Sequence, residues 1–193
     1  AMNICVFGAA SDKIDKKYLD LAFKAGEIIA LRGHGMVYGA GATGLMGASA
    51  RGARAHGGSV YGVIPSFFKD IGAEIIFPAC TKIKYTETMR ERKAEMEDSS
   101  DAFLVLPGGI GTFEEFFEIL TLKQLGRHEK PIAVFNASGY YDPLSDMMDS
   151  SVIKRFVPEY TKEIYRVSDD LEELFEYMEN DPREKIDTVK LKY

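Results

Sequence analysis

The chain has 193 residues, with 24 Lys and Arg against 30 Asp and Glu, for a formal charge of −6. At 46% hydrophobic and 28% charged it has ordinary globular composition, which excludes a disordered, collagen-like or disulfide-framed chain. The acidic balance argues against a general nucleic-acid or membrane-surface binder, though a local basic pocket remains compatible with it.

Strand and helix patterns alternate along the chain. A short apolar run at residues 3–7 ends at Gly8-Ala9-Ala10-Ser11. Residues 15–31 have helical spacing, with Tyr18, Leu21 and Ala25 on one face and Gly33 beyond the end. A strand at 36–38 leads into Gly39-Ala40-Gly41-Ala42-Thr43, followed by a small-residue helix over 44–56 that can pack closely on a sheet. A strand at 59–64 and a loop at 65–72 carrying Phe67 and Phe68 come next. Then follow a charged helix at 86–99, a buried strand at 102–106, a helix at 113–125 and a strand at 132–135. A helix at 142–155, a strand at 164–167, a helix at 169–179 and a charged tail from Asp181 complete the pattern. Strands separated by helices of this length predict βαβ units, hence an α/β fold with a parallel sheet covered on both faces. No linker interrupts the series, so residues 1–193 read as one domain.

Neither cysteine belongs to a C-x-x-C pair, and Cys5, inside an apolar run, reads as a buried thiol. No apolar stretch approaches the ~20 residues of a membrane span, and residues 2–7 lack the basic start of a signal peptide. Ala1 ahead of Met2 reads as a cloning remnant. The expected location is the cytoplasm.

The 18 glycines are in excess, about 9% against ~7% on average, and they are clustered. Ten lie between Gly33 and Gly62, and three more at Gly108, Gly109 and Gly111. Three loops, at 8–11, 39–43 and 107–112, each follow a strand and precede a helix. A parallel sheet would gather them on its carboxyl edge, where α/β folds bind ligands. Helix N-termini with free amides, approached closely through glycine, suit phosphate. Ser11, Gly41, Gly44 and the run Gly108 to Thr112 are therefore candidate substrate contacts. The segment Gly39 to Gly44 also fits G-x-G-x-x-G, but residues 59–64 offer no acidic partner for a dinucleotide ribose. A dinucleotide site is set aside on that ground.

In the run Pro107-Gly108-Gly109-Ile110-Gly111-Thr112-Phe113-Glu114-Glu115, Thr112 and Glu115 form T-x-x-E, which predicts a capping box. A glutamate beside a glycine cradle is also placed to touch whatever carries the phosphate. On the helix at 86–99, Met89, Arg92, Lys93 and Met96 share one face. Surface pairing of Arg92 with Glu95 and of Lys93 with Glu97 is one reading of the cations, and anion binding is the other.

The P-G-G-x-G-T-x-x-E run resembles that of the Lonely Guy family, the cytokinin riboside 5′-monophosphate phosphoribohydrolases. Met89-Arg90-Glu91-Arg92-Lys93 resembles its M-x-x-R-K, and Tyr38-Gly39-Ala40-Gly41 through Gly44-Leu45-Met46-Gly47 resembles its Y-G-G-G-x-x-G-L-M-G. Thr121-Leu122-Lys123-Gln124-Leu125-Gly126 and Gly139-Tyr140-Tyr141-Asp142 also look like family signatures. Many relatives carry a lysine decarboxylase label, yet no pyridoxal-phosphate lysine with an acidic ring partner is evident.

The resemblance implies a Rossmann-like homodimer that hydrolyses the N-glycosidic bond of a cytokinin or purine nucleoside 5′-monophosphate, releasing base and ribose 5-phosphate. It places Arg92 and Glu115 on the catalytic pair. It places Lys93, the backbone of Gly108, Gly109, Ile110, Gly111 and Thr112, and Thr121 on nucleotide-binding positions, with Glu74 as a further contact and Met89 lining the pocket. Glu115 could stabilise a developing positive sugar, hold ribose hydroxyls or activate water; Arg92 could anchor phosphate or assist the leaving base. Neither a metal nor another cofactor is required, and His34, His56 and His128 show no ligand spacing. A non-catalytic nucleotide or cofactor carrier on the same fold is the alternative. Ala40 stands where the family has glycine, which predicts a negative φ there.

Overall fold

The computed structural model describes residues 1–72 and 75–191. Its strands are β1 (Asn3–Phe7), β2 (Gly35–Tyr38), β3 (Val60–Pro65), β4 (Lys82–Thr86), β5 (Ala102–Val105), β6 (Ile132–Phe135) and β7 (Arg166–Ser168). The helices are α1 (Lys16–Leu31), α2 (Gly44–Ala55), α3 (Phe67–Ile71), α4 (Met89–Asp98), α5 (Ile110–Gln124), α6 (Asp142–Ile153) and α7 (Leu171–Asn180). The strands form one sheet in the order β4-β3-β2-β1-β5-β6-β7, with every pairing parallel. This is the α/β, Rossmann-like arrangement expected from the alternating pattern.

Apart from the exposed Asn3 that opens β1, every residue of β1, β2, β5 and β6 is buried, because both faces of these strands are covered. Ile4 and Val6 turn towards α1, α2 and α7, meeting Ala25, Leu45 and Leu174. Cys5 and Phe7 point the other way, towards Met96 of α4 and Phe116 and Ile119 of α5. Burial pushes the Cys5 thiol up, and the nearby Glu115 carboxylate adds to the shift. The chain steps outward from β1 through β4, then returns to pair β5 with β1, with Ile4 opposite Ala102. That reversal opens a crevice at the carboxyl ends of β1 and β5, the natural ligand site of such sheets.

Several elements depart from the sequence reading. The segment at 65–72 holds the short helix α3 rather than loop alone. Strand β4 was not expected; it is an edge strand whose Lys82 and Lys84 are exposed, and such lysines blunt an edge while hiding it from apolar patterning. Its last residue is Thr86, so α4 begins later, at Met89 behind the Thr88 cap. Helix α5 begins earlier, at Ile110, and β7 sits at Arg166–Ser168. The small residues of α2 serve mainly its contact with α1: a Cβ on Gly52 would stand 2.0 Å from the Phe23 carbonyl oxygen, and one on Gly26 1.8 Å from that of Ser49.

Candidate active site

A cleft of about 470 Å³ opens at the crevice between β1 and β5. The β1–α1 loop contributes Gly8 to Ser11, the loop just after β2 contributes Gly39, and α3 contributes Phe68. Met89, Arg92, Lys93 and Met96 enter from α4, and Gly109, Gly111, Thr112, Glu114 and Glu115 from α5.

The start of α5 is the most distinctive part of this cleft. The first amide of the helix with a backbone acceptor is that of Phe113, bonded to the Gly109 carbonyl at 3.0 Å. Among the described residues nothing accepts from the amides of Gly109, Ile110, Gly111 or Thr112, and no side chain caps the helix. A Cβ on Gly109 or Gly111 would meet nothing within 4 Å. These glycines therefore leave open space in front of four unsatisfied donors and a positive helix end. Gly108 differs: it is buried, and a Cβ there would stand 2.1 Å from Thr112 Oγ1.

The predicted capping box is absent. Gly109, not Thr112, is the N-cap, because the glycines let the chain enter the helix earlier than the threonine suggests. Glu115 follows Gly111 by four residues and so shares its face, about 6 Å further along the axis. Long helical side chains lean towards the N-terminus, which brings the Glu115 carboxylate back towards the cradle. It lines both the main cleft and a small adjoining crevice beside Phe7 and Glu97.

The glycine loop after β2 behaves differently, for the amides at the start of α2 are taken by acceptors from elsewhere in the chain. Gly44 N–H donates to Asp12 Oδ1 at 2.7 Å, and the amides of Leu45 and Met46 both donate to the Ala9 carbonyl. The Ala42 amide bonds the Ile75 carbonyl, and the Gly41 carbonyl accepts from the Tyr38 hydroxyl. Gly41 and Gly44 thus stand outside the cleft lining, and the N-terminus of α2 already holds a carboxylate. Asp12 was missed in the sequence because it lies just after the first loop rather than beside α2. Ser11 does line the cleft; its Oγ accepts from the Lys13 amide.

Ala40 corrects another expectation. Its φ is +69°, left-handed despite the side chain, because its carbonyl accepts from the Phe77 amide at 2.8 Å while Gly41 bridges to Ile76. The backbone keeps a glycine-like path and the alanine bears the strain.

Arg92 is 8% exposed. Its Nε donates to the Val63 carbonyl at 3.0 Å and its Nη2 to the Gly39 carbonyl at 2.6 Å, while the Phe68 ring lies 5.4 Å from the guanidinium. Lys93 reaches across to Glu114 and, at 3.0 Å, to Glu118. Burial pulls its pKa down, but hydrogen bonds to these two carboxylates outweigh this and hold it above the ordinary value. Neither surface pair considered for α4 is made: Glu95 instead accepts from Tyr61 and Lys84, and the Glu97 carboxylate accepts from none of the described residues.

Met89 lines the cleft at the start of α4. Ile110 offers its amide to the cradle while its side chain is 83% exposed. Thr121 lies nine residues along α5 from Thr112, roughly 13 Å at helical rise. It is outside this cleft, with its hydroxyl donating to the Phe117 carbonyl. Glu74 lies outside the described residues. Among the described residues no group of three or more His, Cys, Asp or Glu is placed to hold a metal ion, and no helix is long and apolar enough to cross a membrane.

Residues 46–178 match the family model described as "Possible lysine decarboxylase". A rice protein (Oryza sativa subsp. japonica) named probable cytokinin riboside 5′-monophosphate phosphoribohydrolase LOGL9 is 38% identical over 177 residues, covering 92% of this chain and 77% of its own. The chain belongs to this family. The Arabidopsis thaliana family member LOG4, a cytokinin riboside 5′-monophosphate phosphoribohydrolase by name, is 36% identical over 92% of this chain and 81% of its own. Among solved structures, the molybdenum cofactor carrier protein of Chlamydomonas reinhardtii has a TM-score of 0.69 at 21% identity, covering 92% of this chain and 95% of that one. The molybdenum cofactor binding protein of Rippkaea orientalis gives 0.67 at 20%, covering 92% and 93%. At such identities the structural likeness is one of fold alone, whereas the phosphoribohydrolase relatives share sequence along nearly the whole chain.

Proposed function

We propose that this protein hydrolyses the N-glycosidic bond of a nucleoside 5′-monophosphate, releasing the free base and ribose 5-phosphate. The observation that carries the reading is the row of unsatisfied amides at the start of α5, in the same cleft as Glu115 and Arg92. The row fits a phosphate dianion. With phosphate there, the attached ribose extends along the cleft towards Glu115. Cleaving an N-ribosyl bond builds positive charge on the sugar, and a carboxylate at that point can stabilise the charge or deprotonate the attacking water. The water's oxygen bonds to the anomeric carbon as the C–N pair leaves with the base, which takes up a proton. Arg92, fixed by two carbonyls, supplies a positive wall for phosphate or leaving base, and Met46, Phe68 and Met89 provide apolar surface for the base. AMP and the N6-isopentenyl form are the substrates to try first.

Thr121 supports a homodimer in solution: the resemblance counts it among nucleotide-binding positions, yet it is out of reach of its own cleft. Exposed Ile153 and Phe156 add apolar surface that a second copy would cover.

The test is incubation with AMP and with isopentenyladenosine monophosphate, following base and ribose 5-phosphate. Release of both products by the wild type, and its loss in Glu115→Gln with binding retained, is the expected result. Binding without cleavage would leave the carrier reading in place.

A further inference from the structure

The signature Gly139-Tyr140-Tyr141-Asp142 leads into α6. Its two hydroxyls point back across the sheet edge to the loop that leads into α5. Tyr140 Oη donates to the Gly108 carbonyl at 2.5 Å, and Tyr141 Oη donates to the Leu106 carbonyl at 2.7 Å. Between them, the Pro107 carbonyl accepts from the Ala9 amide at 3.0 Å. Three consecutive carbonyls ahead of the cradle are thus each held by a donor, two from the adjacent tyrosines and one from the β1–α1 loop.

A trans peptide is planar, with its carbonyl and the following N–H pointing in opposite directions. Holding the Gly108 carbonyl towards Tyr140 therefore turns the Gly109 N–H away from Tyr140, to the opposite side of that peptide plane. Gly109 lines the cleft, and its amide is among those with no acceptor. The glycines at 108 and 109 would otherwise leave this peptide free to rotate.

The tyrosines are themselves braced. The Tyr141 amide donates to Asn136 Oδ1 at 2.6 Å, and Asn136 Nδ2 donates to Asp142 Oδ1 at 2.8 Å. Ser138 and Gly139 take positive φ to make the turn. The two rings meet edge to face at 5.0 Å, and Tyr18 of α1 packs against Tyr140 at 6.1 Å.

We propose that Tyr140 and Tyr141 are positioning residues for phosphate recognition, orienting the amides at the start of α5 through the carbonyls of Gly108 and Leu106. This rests on the reading of those amides as a phosphate cradle. Neither tyrosine needs to touch the substrate.

Tyr140→Phe is the decisive variant, because the ring and its packing remain while the donor is lost. Calorimetric binding of AMP, ribose 5-phosphate and adenosine is compared with and without this change, both in the Glu115→Gln background so that AMP is bound and not consumed. The expectation is a five- to tenfold weaker Kd for the two phosphorylated ligands, about the size of one lost hydrogen bond, with adenosine changed less than twofold. In turnover with Glu115 intact, KM should rise while kcat stays within about threefold. Equal AMP affinity in the two proteins would overturn the proposal. So would equal weakening of AMP and adenosine, which marks a general structural role, and so would a Tyr140 parent that binds adenosine as tightly as AMP. Should the wild type release no base while the variant still loses AMP selectively, the positioning role stands and the hydrolase reading falls.

Discussion

Arg92 Nη2 and the Gly39 carbonyl oxygen are 2.6 Å apart, and a Cβ on Gly39 would lie 2.2 Å from that same nitrogen. The glycine at the end of β2 is thus required by an arginine that arrives more than fifty residues later. Gly39→Ala would push the guanidinium off one of its two carbonyl anchors while leaving the sheet register alone. The expected outcome is at least a hundredfold loss of base release with a stability cost of about 1–3 kcal/mol, the penalty of a disrupted buried hydrogen bond. Wild-type turnover in a folded variant would show that the Arg92 position is not demanding.

Gly109 poses the opposite case. Open space surrounds its missing Cβ, so the protein itself gives no steric reason for glycine at this position. Gly109→Ala should melt within about 2 °C of the wild type, yet its methyl would take up open space beside the amides of residues 109 and 110. Binding of AMP and ribose 5-phosphate should fall at least tenfold, measured by calorimetry. Retained affinity would place the phosphate elsewhere.

The parallel sheet and its carboxyl-edge loops were readable from the sequence because apolar runs separated by amphipathic helices admit few other arrangements. The division of labour among the glycine loops was not readable. Both the 39–44 and 108–112 loops carry glycines that suit phosphate, with 108–111 the favoured cradle, and what separates them is that Ala9 of the first loop and Asp12 just after it satisfy the α2 amides. That is a contact between segments distant in sequence, invisible to local pattern. The same holds for Lys93, whose partners Glu114 and Glu118 lie on another helix, in preference to the Glu97 one turn away. Strand β4 escaped notice because an edge strand with alternating lysines carries little apolar signal.

Ala40 allows a test of stored strain. An alanine at φ +69° pays about 1–2 kcal/mol relative to a relaxed backbone, and glycine removes that penalty. The methyl faces the backbone of Gly62, a contact that offsets part of the gain, as does the greater freedom of glycine in the unfolded chain. Ala40→Gly should stabilise the fold by up to about 1 kcal/mol. The signature is a higher urea midpoint at unchanged m. A lower midpoint would mean that the methyl's packing outweighs the strain.

Glu97 supplies a pH-dependent prediction. Burial raises its pKa to about 7, with Glu118 and Asp98 adding repulsion and Lys130 and Lys93 opposing it. In the unfolded chain the same group titrates near the ordinary 4.5. Between those values the unfolded state gives up its proton first, so rising pH favours unfolding across that window and the effect levels off above pH 7. Glu97→Gln mimics the protonated side chain and removes the dependence. Melting temperatures of variant and wild type should therefore coincide at pH 4–4.5 and separate by pH 8, with the variant higher. A constant offset at both pH values would trace the effect to packing, and a variant less stable at pH 8 would mean that the ionised carboxylate gains more from Lys93 and Lys130 than it loses to burial.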